Sequence, residues 1–212
     1  MHVCARQQIP SYIAVNDQFL PPENLNTNKH LETINNCTKE QEKKINFEKT
    51  KYMIFNFCHF RQFQTRVSID ETLLEQVKET KLLGLIISDD LSWHSNTNNL
   101  VKKAYMRMNI LRKLYDFNVP KAQLIQIYML YIRSVTEQSS VVWSSSITEE
   151  ESNALEGTQK VALRFIYRNE YISYDNALNL SKLLPLSKRR ENLLYKFALK
   201  TFKNPKTSYM IR

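Results

Sequence analysis

Hydrophobic positions change their period between residues 81 and 114. Leu82, Leu83, Leu85, Ile86 and Ile87 form a short apolar run of branched side chains that reads as a buried strand, with Gly84 allowing a bulge or close backbone approach. Asp89 and Asp90 supply turn chemistry, and Leu91 and Trp93 close the segment. The polar stretch HSNTNN then offers several N-caps. Beyond it Leu100, Val101, Ala104, Tyr105, Met108, Leu111 and Leu114 recur at helical spacing. Lys102, Lys103, Arg107, Arg112 and Lys113 make the rest of that helix basic.

Upstream, residues 1–24 show no sustained period and are interrupted by Pro10, Pro21 and Pro22, which predicts an extended or poorly ordered lead-in. A thin apolar stripe over residues 24–45, carried by Leu31, Ile34 and Ile45, predicts a helix docked on a sheet. Residues 52–58 alternate as a half-buried strand does, and residues 63–69 are a candidate antiparallel partner. Residues 72–77 and 82–87 complete a small sheet. Downstream, Pro120 starts a helix whose apolar face runs from Leu124 to Val135, and Thr148 with Glu151 has capping-box spacing. Ser173 caps a short helix, and Pro185 and Ser187 introduce a last one built on Leu194, Phe197, Ala198 and Phe202. Trp143, Tyr105, Tyr128 and Tyr131 keep the helical period and read as core. The fold class expected is α+β: a small antiparallel sheet with a helix over residues 25–93, followed by an all-α helical bundle over residues 94–212.

Composition narrows the chemistry. Gly84 and Gly157 are the only glycines of the 212 residues, so glycine-rich phosphate loops and dinucleotide fingerprints are excluded. Cys4, Cys37 and Cys58, odd in number and scattered, suit reduced thiols better than a disulfide framework. No apolar run approaches the ~20 residues of a membrane span, and the N-terminus lacks the layout of a signal peptide. An intracellular protein, nuclear or cytoplasmic and not secreted, is the expectation, with no membrane association. The glycosylation-like triplets at Asn36 and Asn179 are then chance matches. His2, His30, His59 and His94 show no metal-ligand spacing, and no nucleophile motif such as Gly-x-Ser-x-Gly is present. Neither metal nor cofactor is expected.

Charge is divided unevenly. Residues 1–99 hold 11 Lys/Arg against 12 Asp/Glu, whereas residues 100–212 hold 19 against 9, so the net charge of +9 belongs to the helical half. Lys188, Arg189, Arg190, Lys196, Lys200 and Lys203 add a second basic helix to the first. Such a surface suits phosphate contacts independent of sequence, although an anionic membrane or an acidic protein would attract it too.

Two blocks carry a family resemblance. INFEKTKYMIFNF (residues 45–57) resembles the Asn-x-x-Lys-Thr-Lys-x-Met-x-Phe signature of reverse transcriptases from non-LTR retrotransposons (LINE or jockey-like elements). LLGLIISDDLSW (residues 82–93), followed by a polar gap and a Lys/Arg-rich helix, resembles the region just after their catalytic palm. Together the blocks and their spacing extend the resemblance over residues 15–205. It implies the end of a palm followed by a helical thumb and connection. Asp89-Asp90 is not the metal-binding Tyr-x-Asp-Asp hairpin, because in the family that hairpin precedes the Lys-Thr-Lys block and here the pair follows it; a turn is expected. The chain therefore resembles a truncated polymerase without its catalytic aspartates, and no polymerase activity is expected of it alone; an upstream catalytic segment would change that.

The resemblance places Lys49 near an incoming nucleotide as phosphate partner and proton donor, a vestigial role in a chain without the aspartates, where it also reads as a solvated lysine ahead of a strand. Leu83 and Gly84 resemble the primer-grip strand, with a glycine relieving crowding in a sheet as the equal alternative. The expected partner is RNA or an RNA–DNA hybrid, bound by Lys102, Lys103, Arg107, Arg112, Lys113, Lys188, Arg189 and Arg190. A protein-interaction module, or a folded relic without selected function, is the competing expectation. A palm fragment is also expected to leave an unpaired, aggregation-prone edge at residues 52–57.

Overall fold

The computed structural model describes residues 12–16, 27–42, 45–55, 66–70 and 72–204. The chain is α+β, with small sheets in its N-terminal part and helices thereafter, and it divides after Ser92 into two compact units.

In the first unit β1 (Tyr12–Asn16), α1 (Thr27–Glu40) and β2 (Lys51–Phe55) follow one another, and the two strands pair in parallel from Tyr12↔Lys51 to Asn16↔Phe55. Parallel strands need a crossover, and the segment carrying α1 provides it. β5 (Glu75–Gln76) adds in parallel to the other side of β2 at Lys51 and Tyr52, and Val77 N–H donates to Tyr52 O at 2.9 Å. Leu31 from the helix packs with Ile45, Tyr52, Val67, Ile69 and Leu74 in one apolar cluster. Tyr52 and Met53 point to opposite faces of β2 and both are buried, as suits a central strand covered on each side.

Several strand expectations are corrected. β1 lies inside the residues expected to be an extended lead-in. The sheet containing β2 is parallel, not antiparallel, and β2 is its middle strand, so the expected free edge is paired along β1 and, at Lys51 and Tyr52, along β5. The candidate partner at residues 63–69 contributes β3 (Ser68–Ile69), which pairs with β4 (Thr72–Leu73) and not with β2; residues 56–65 lie outside the described residues. The apolar run 82–87 is not one strand. It is folded into an antiparallel hairpin of β6 (Glu79–Leu82) and β7 (Leu85–Ser88), with Leu82 opposite Leu85. Leu83 and Gly84 are its two-residue loop at φ 49° and 91°, the positive values a type I′ turn requires. Gly84 thus serves a turn and not a bulge.

The second unit is helical. α2 (His94–Asp116) packs along α6 (Glu149–Tyr167), and α3 (Lys121–Ile127) continues through a π-helical segment, Tyr128–Arg133, into α4 (Ser134–Thr136). α5 (Ser140–Trp143) precedes α6, and α7 (Tyr174–Ser181) and α8 (Leu186–Lys203) complete the unit. Ala104, Met108 and Leu111 of α2, Leu124, Tyr128 and Ile132, Ala162, Leu163 and Ile166 of α6, and Ala177 and Leu178 of α7 form its core. The capping box at α6 is complete: Thr148 Oγ1 accepts from Glu151 N–H at 3.2 Å and Glu151 Oε2 accepts from Thr148 N–H at 2.8 Å. Ser173 caps α7 by accepting from Asn176 N–H at 3.1 Å.

The HSNTNN stretch, expected to hold caps, is instead the first turn of α2. Asn96 and Thr97 are buried there, and Thr97 Oγ1 donates to the carbonyls of Trp93 and His94 at 2.8 and 3.0 Å. Trp143 and Tyr128 are fully buried as core, but Tyr105 and Tyr131 are nearly half exposed. The last helix differs most from expectation: Leu186 and Arg190 are buried, whereas Phe197 and Phe202 of the expected core stripe are more than half exposed, as is Tyr195.

A buried polar chain ties the helices together. Tyr128 OH donates to Gln159 Oε1 at 2.6 Å, and Gln159 Nε2 donates to Tyr174 OH at 2.8 Å and to Leu184 O at 3.0 Å. Tyr174 OH in turn donates to the Glu156 carboxylate, which also accepts the first N–H groups of α8, from Leu186 at 3.0 Å and Ser187 at 3.2 Å. Glu156 thereby supplies the cap that Pro185 cannot.

Candidate nucleic-acid interface

Helical geometry spreads the α2 cations. At about 100° per residue, Arg107 and Arg112 flank the buried stripe on opposite sides while Lys102 and Lys113 project away from it. Among the described residues none of the five forms an ion pair. Arg107 and Arg112 are held by aromatic faces instead. The Arg107 guanidinium lies 4.5 Å from the Tyr131 ring centroid and donates through Nη1 to Tyr131 O at 2.6 Å. Arg112 lies 4.4 Å from the Phe165 centroid. Lys103, Met106, Arg107, Ile110 and Tyr131 line an open groove of about 350 Å³. Its walls combine apolar surface with cationic ends.

The α8 trio is placed differently. Lys188 is exposed and paired with Glu191 at 2.8 Å, which holds its ammonium above the usual lysine value. Arg189 donates to both oxygens of Glu137, Nε at 2.5 Å and Nη2 at 3.0 Å, and this bidentate pair raises its already high pKa. Arg190 is only 4% exposed and its Nη2 donates to Ser152 Oγ at 2.7 Å. Arg189 is therefore committed to an ion pair and Arg190 is buried, and the exposed cations of α8 are Lys188, Lys196, Lys200 and Lys203.

Sequence reasoning missed a further row. Lys160, Arg164 and Arg168 follow one another at four-residue spacing along the solvent face of α6 and its end, over Tyr174 at 5.3 Å, Tyr171 at 5.4 Å and Tyr115 at 3.9 Å. The signal was the spacing itself. Arg168 also reaches Asp116 at 3.1 Å; Lys160 and Arg164 have no carboxylate within ion-pair distance among the described residues.

The remaining candidates lie in the first unit. Lys49 is exposed in the turn before β2, its N–H donating to Asn46 Oδ1 at 3.1 Å. Leu83 is 91% exposed at the β6–β7 tip, next to Gly84. Asp89 and Asp90 form a turn after β7. The Ser92 N–H donates to Asp90 Oδ1 at 2.8 Å and holds that carboxyl below the ordinary carboxylate value. Among the described residues no group of three metal-ligating side chains occurs, and no helix is long and apolar enough to cross a membrane. No protein-family model, curated protein or solved structure matches the chain.

Proposed function

We propose that the chain is the post-catalytic part of a reverse transcriptase of the non-LTR retrotransposon kind, and that it binds RNA or an RNA–DNA hybrid without sequence preference. The observation that carries this reading is the set of cations on α2, Lys102, Lys103, Arg107, Arg112 and Lys113, none neutralised by a carboxylate among the described residues. Stacking on Tyr131 and Phe165 restrains two of them, which lowers the entropy lost when they meet a phosphate. Lys160 and Arg164 extend the same chemistry to α6. Arg189 and Arg190 take no part. The family's paired catalytic aspartates have no counterpart here, so no DNA synthesis is expected from this chain alone, and Lys49 acts as a solvated lysine.

A salt series on a labelled RNA–DNA hybrid tests the reading. Affinity is expected to fall linearly on a log–log scale, with a slope near −0.7 to −0.9 per phosphate contact. Changing Lys102, Lys103, Arg107 and Lys113 together to Glu should abolish binding. A folded chain that shows no binding at low salt would overturn the proposal. The exposed Tyr195, Phe197 and Phe202 of α8 favour a second reading, a protein-interaction module; that reading gains if an acidic protein partner binds where nucleic acid does not.

A further inference from the structure

The loop between α5 and α6, the start of α6 and the first three turns of α8 line an open groove of about 300 Å³ that the nucleic-acid reading does not use. Its size lies at the lower limit for a small-ligand site. Five of its lining residues carry hydroxyls, Ser152 and Ser187 among them, and Arg190 is its cation.

Arg190 is unusual in two ways. It is almost wholly buried, and one of its terminal nitrogens, Nη1, is enclosed without a hydrogen-bond partner while Nη2 is held by Ser152. A buried guanidinium with an idle donor is costly unless something completes it. The nearby carboxylates are already committed. Glu137 is taken by Arg189, with Arg133 Nε at 3.8 Å, and Glu156 is taken by Tyr174 and the N-terminus of α8. Arg133 and Arg189 therefore share one carboxylate, and Arg190 has no ion pair among the described residues. Burial accordingly pushes the Arg190 and Arg133 guanidinium pKa values down.

We propose that this groove binds a compact phosphoryl-bearing anion, its oxygens held by Arg190, Ser152 and Ser187 and its organic body resting on Ile147 and Leu194. A phosphoryl group offers more acceptor sites than a carboxylate, which matches a guanidinium surrounded by hydroxyl donors. Two carboxylates on the wall set the upper limit of charge. Glu191 is paired with Lys188, but Glu149 is exposed, and it repels an extended run of phosphates. A monophosphate fits and a nucleic-acid backbone does not. The inference is independent of the α2 surface.

The test is thermal unfolding of the whole chain in inorganic phosphate, in glycerol 3-phosphate, and in chloride at matched ionic strength. Both phosphates should raise Tm saturably where chloride does not, glycerol 3-phosphate at the lower concentration. Ser187→Ala and Ser152→Ala should each weaken the apparent affinity roughly tenfold, as loss of a hydrogen bond to a charged group does. Arg190→Gln should abolish it. If that variant does not fold, the two serine variants decide. Equal stabilisation by chloride, or unchanged phosphate affinity in both serine variants, would overturn the site. Equal affinity for the two phosphates would overturn the role given to Ile147 and Leu194.

Discussion

Leu83 occupies a turn position that suits glycine, asparagine or aspartate, and its side chain gains nothing in return because it is almost fully exposed. Leu83→Asn should raise stability by about 1 kcal/mol, and Gly84→Ala should lower it, in urea unfolding. At α6, Thr148→Ala removes one half of the capping box and should cost about 1 kcal/mol by the same measurement. Tyrosines provide a pH prediction. Burial raises the pKa of Tyr128 and of Tyr174 above the ordinary 10.0, and Tyr174 is raised further because its hydroxyl donates to Glu156. In the unfolded chain both lose their protons near 10.0. Their contribution to stability is therefore complete below that pH and declines as pH rises beyond it. Ultraviolet titration should show these two ionising late, together with unfolding, and Tyr174→Phe should shift the alkaline unfolding midpoint upward. Ionisation of all 11 tyrosines ahead of unfolding would contradict the buried chain.

Elements differ in how openly the sequence declares them. The capping box was legible because both of its partners lie within four residues, and α2 because its stripe runs for several turns. The β6–β7 hairpin was hidden: its loop is Leu-Gly, without Asn or Asp, inside a run apolar enough to pass for one strand. Parallel pairing of β1 and β2 joins residues some forty apart, which no local pattern records. The site followed the same division. The cations of α2 could be read from the helical period, but the removal of Arg189 and Arg190 depends on Glu137 and Ser152, distant in sequence. The row on α6 is present as a spacing of four, yet the residues VAL and FIY between its members are apolar and read as core. The last helix shows the converse limit. Its apolar stripe is real, but periodicity does not reveal whether another element covers it. Phe197→Ser with Phe202→Ser should leave unfolding free energy within about 0.5 kcal/mol, whereas Leu186→Ala should cost about 2 to 5 kcal/mol. Equal costs would show that the outer turns of α8 are packed.

On the scale of the whole chain, the two units have separate cores and unequal charge, so binding and folding can be assigned to one or the other. Residues 93–212 alone should keep both the helical circular dichroism of their segment and the salt-dependent affinity for an RNA–DNA hybrid. Retention of structure with loss of affinity would move the binding surface into the first unit. Both tryptophans, Trp93 and Trp143, are buried and fall in the second unit, Trp93 as its first residue. Indole emission therefore has no probe within residues 1–92: a red shift reports solvent reaching Trp143 or, at the boundary, Trp93. A denaturation curve followed by fluorescence and one followed by peptide absorption will superimpose if the two units unfold as one, and will separate if the sheets melt on their own.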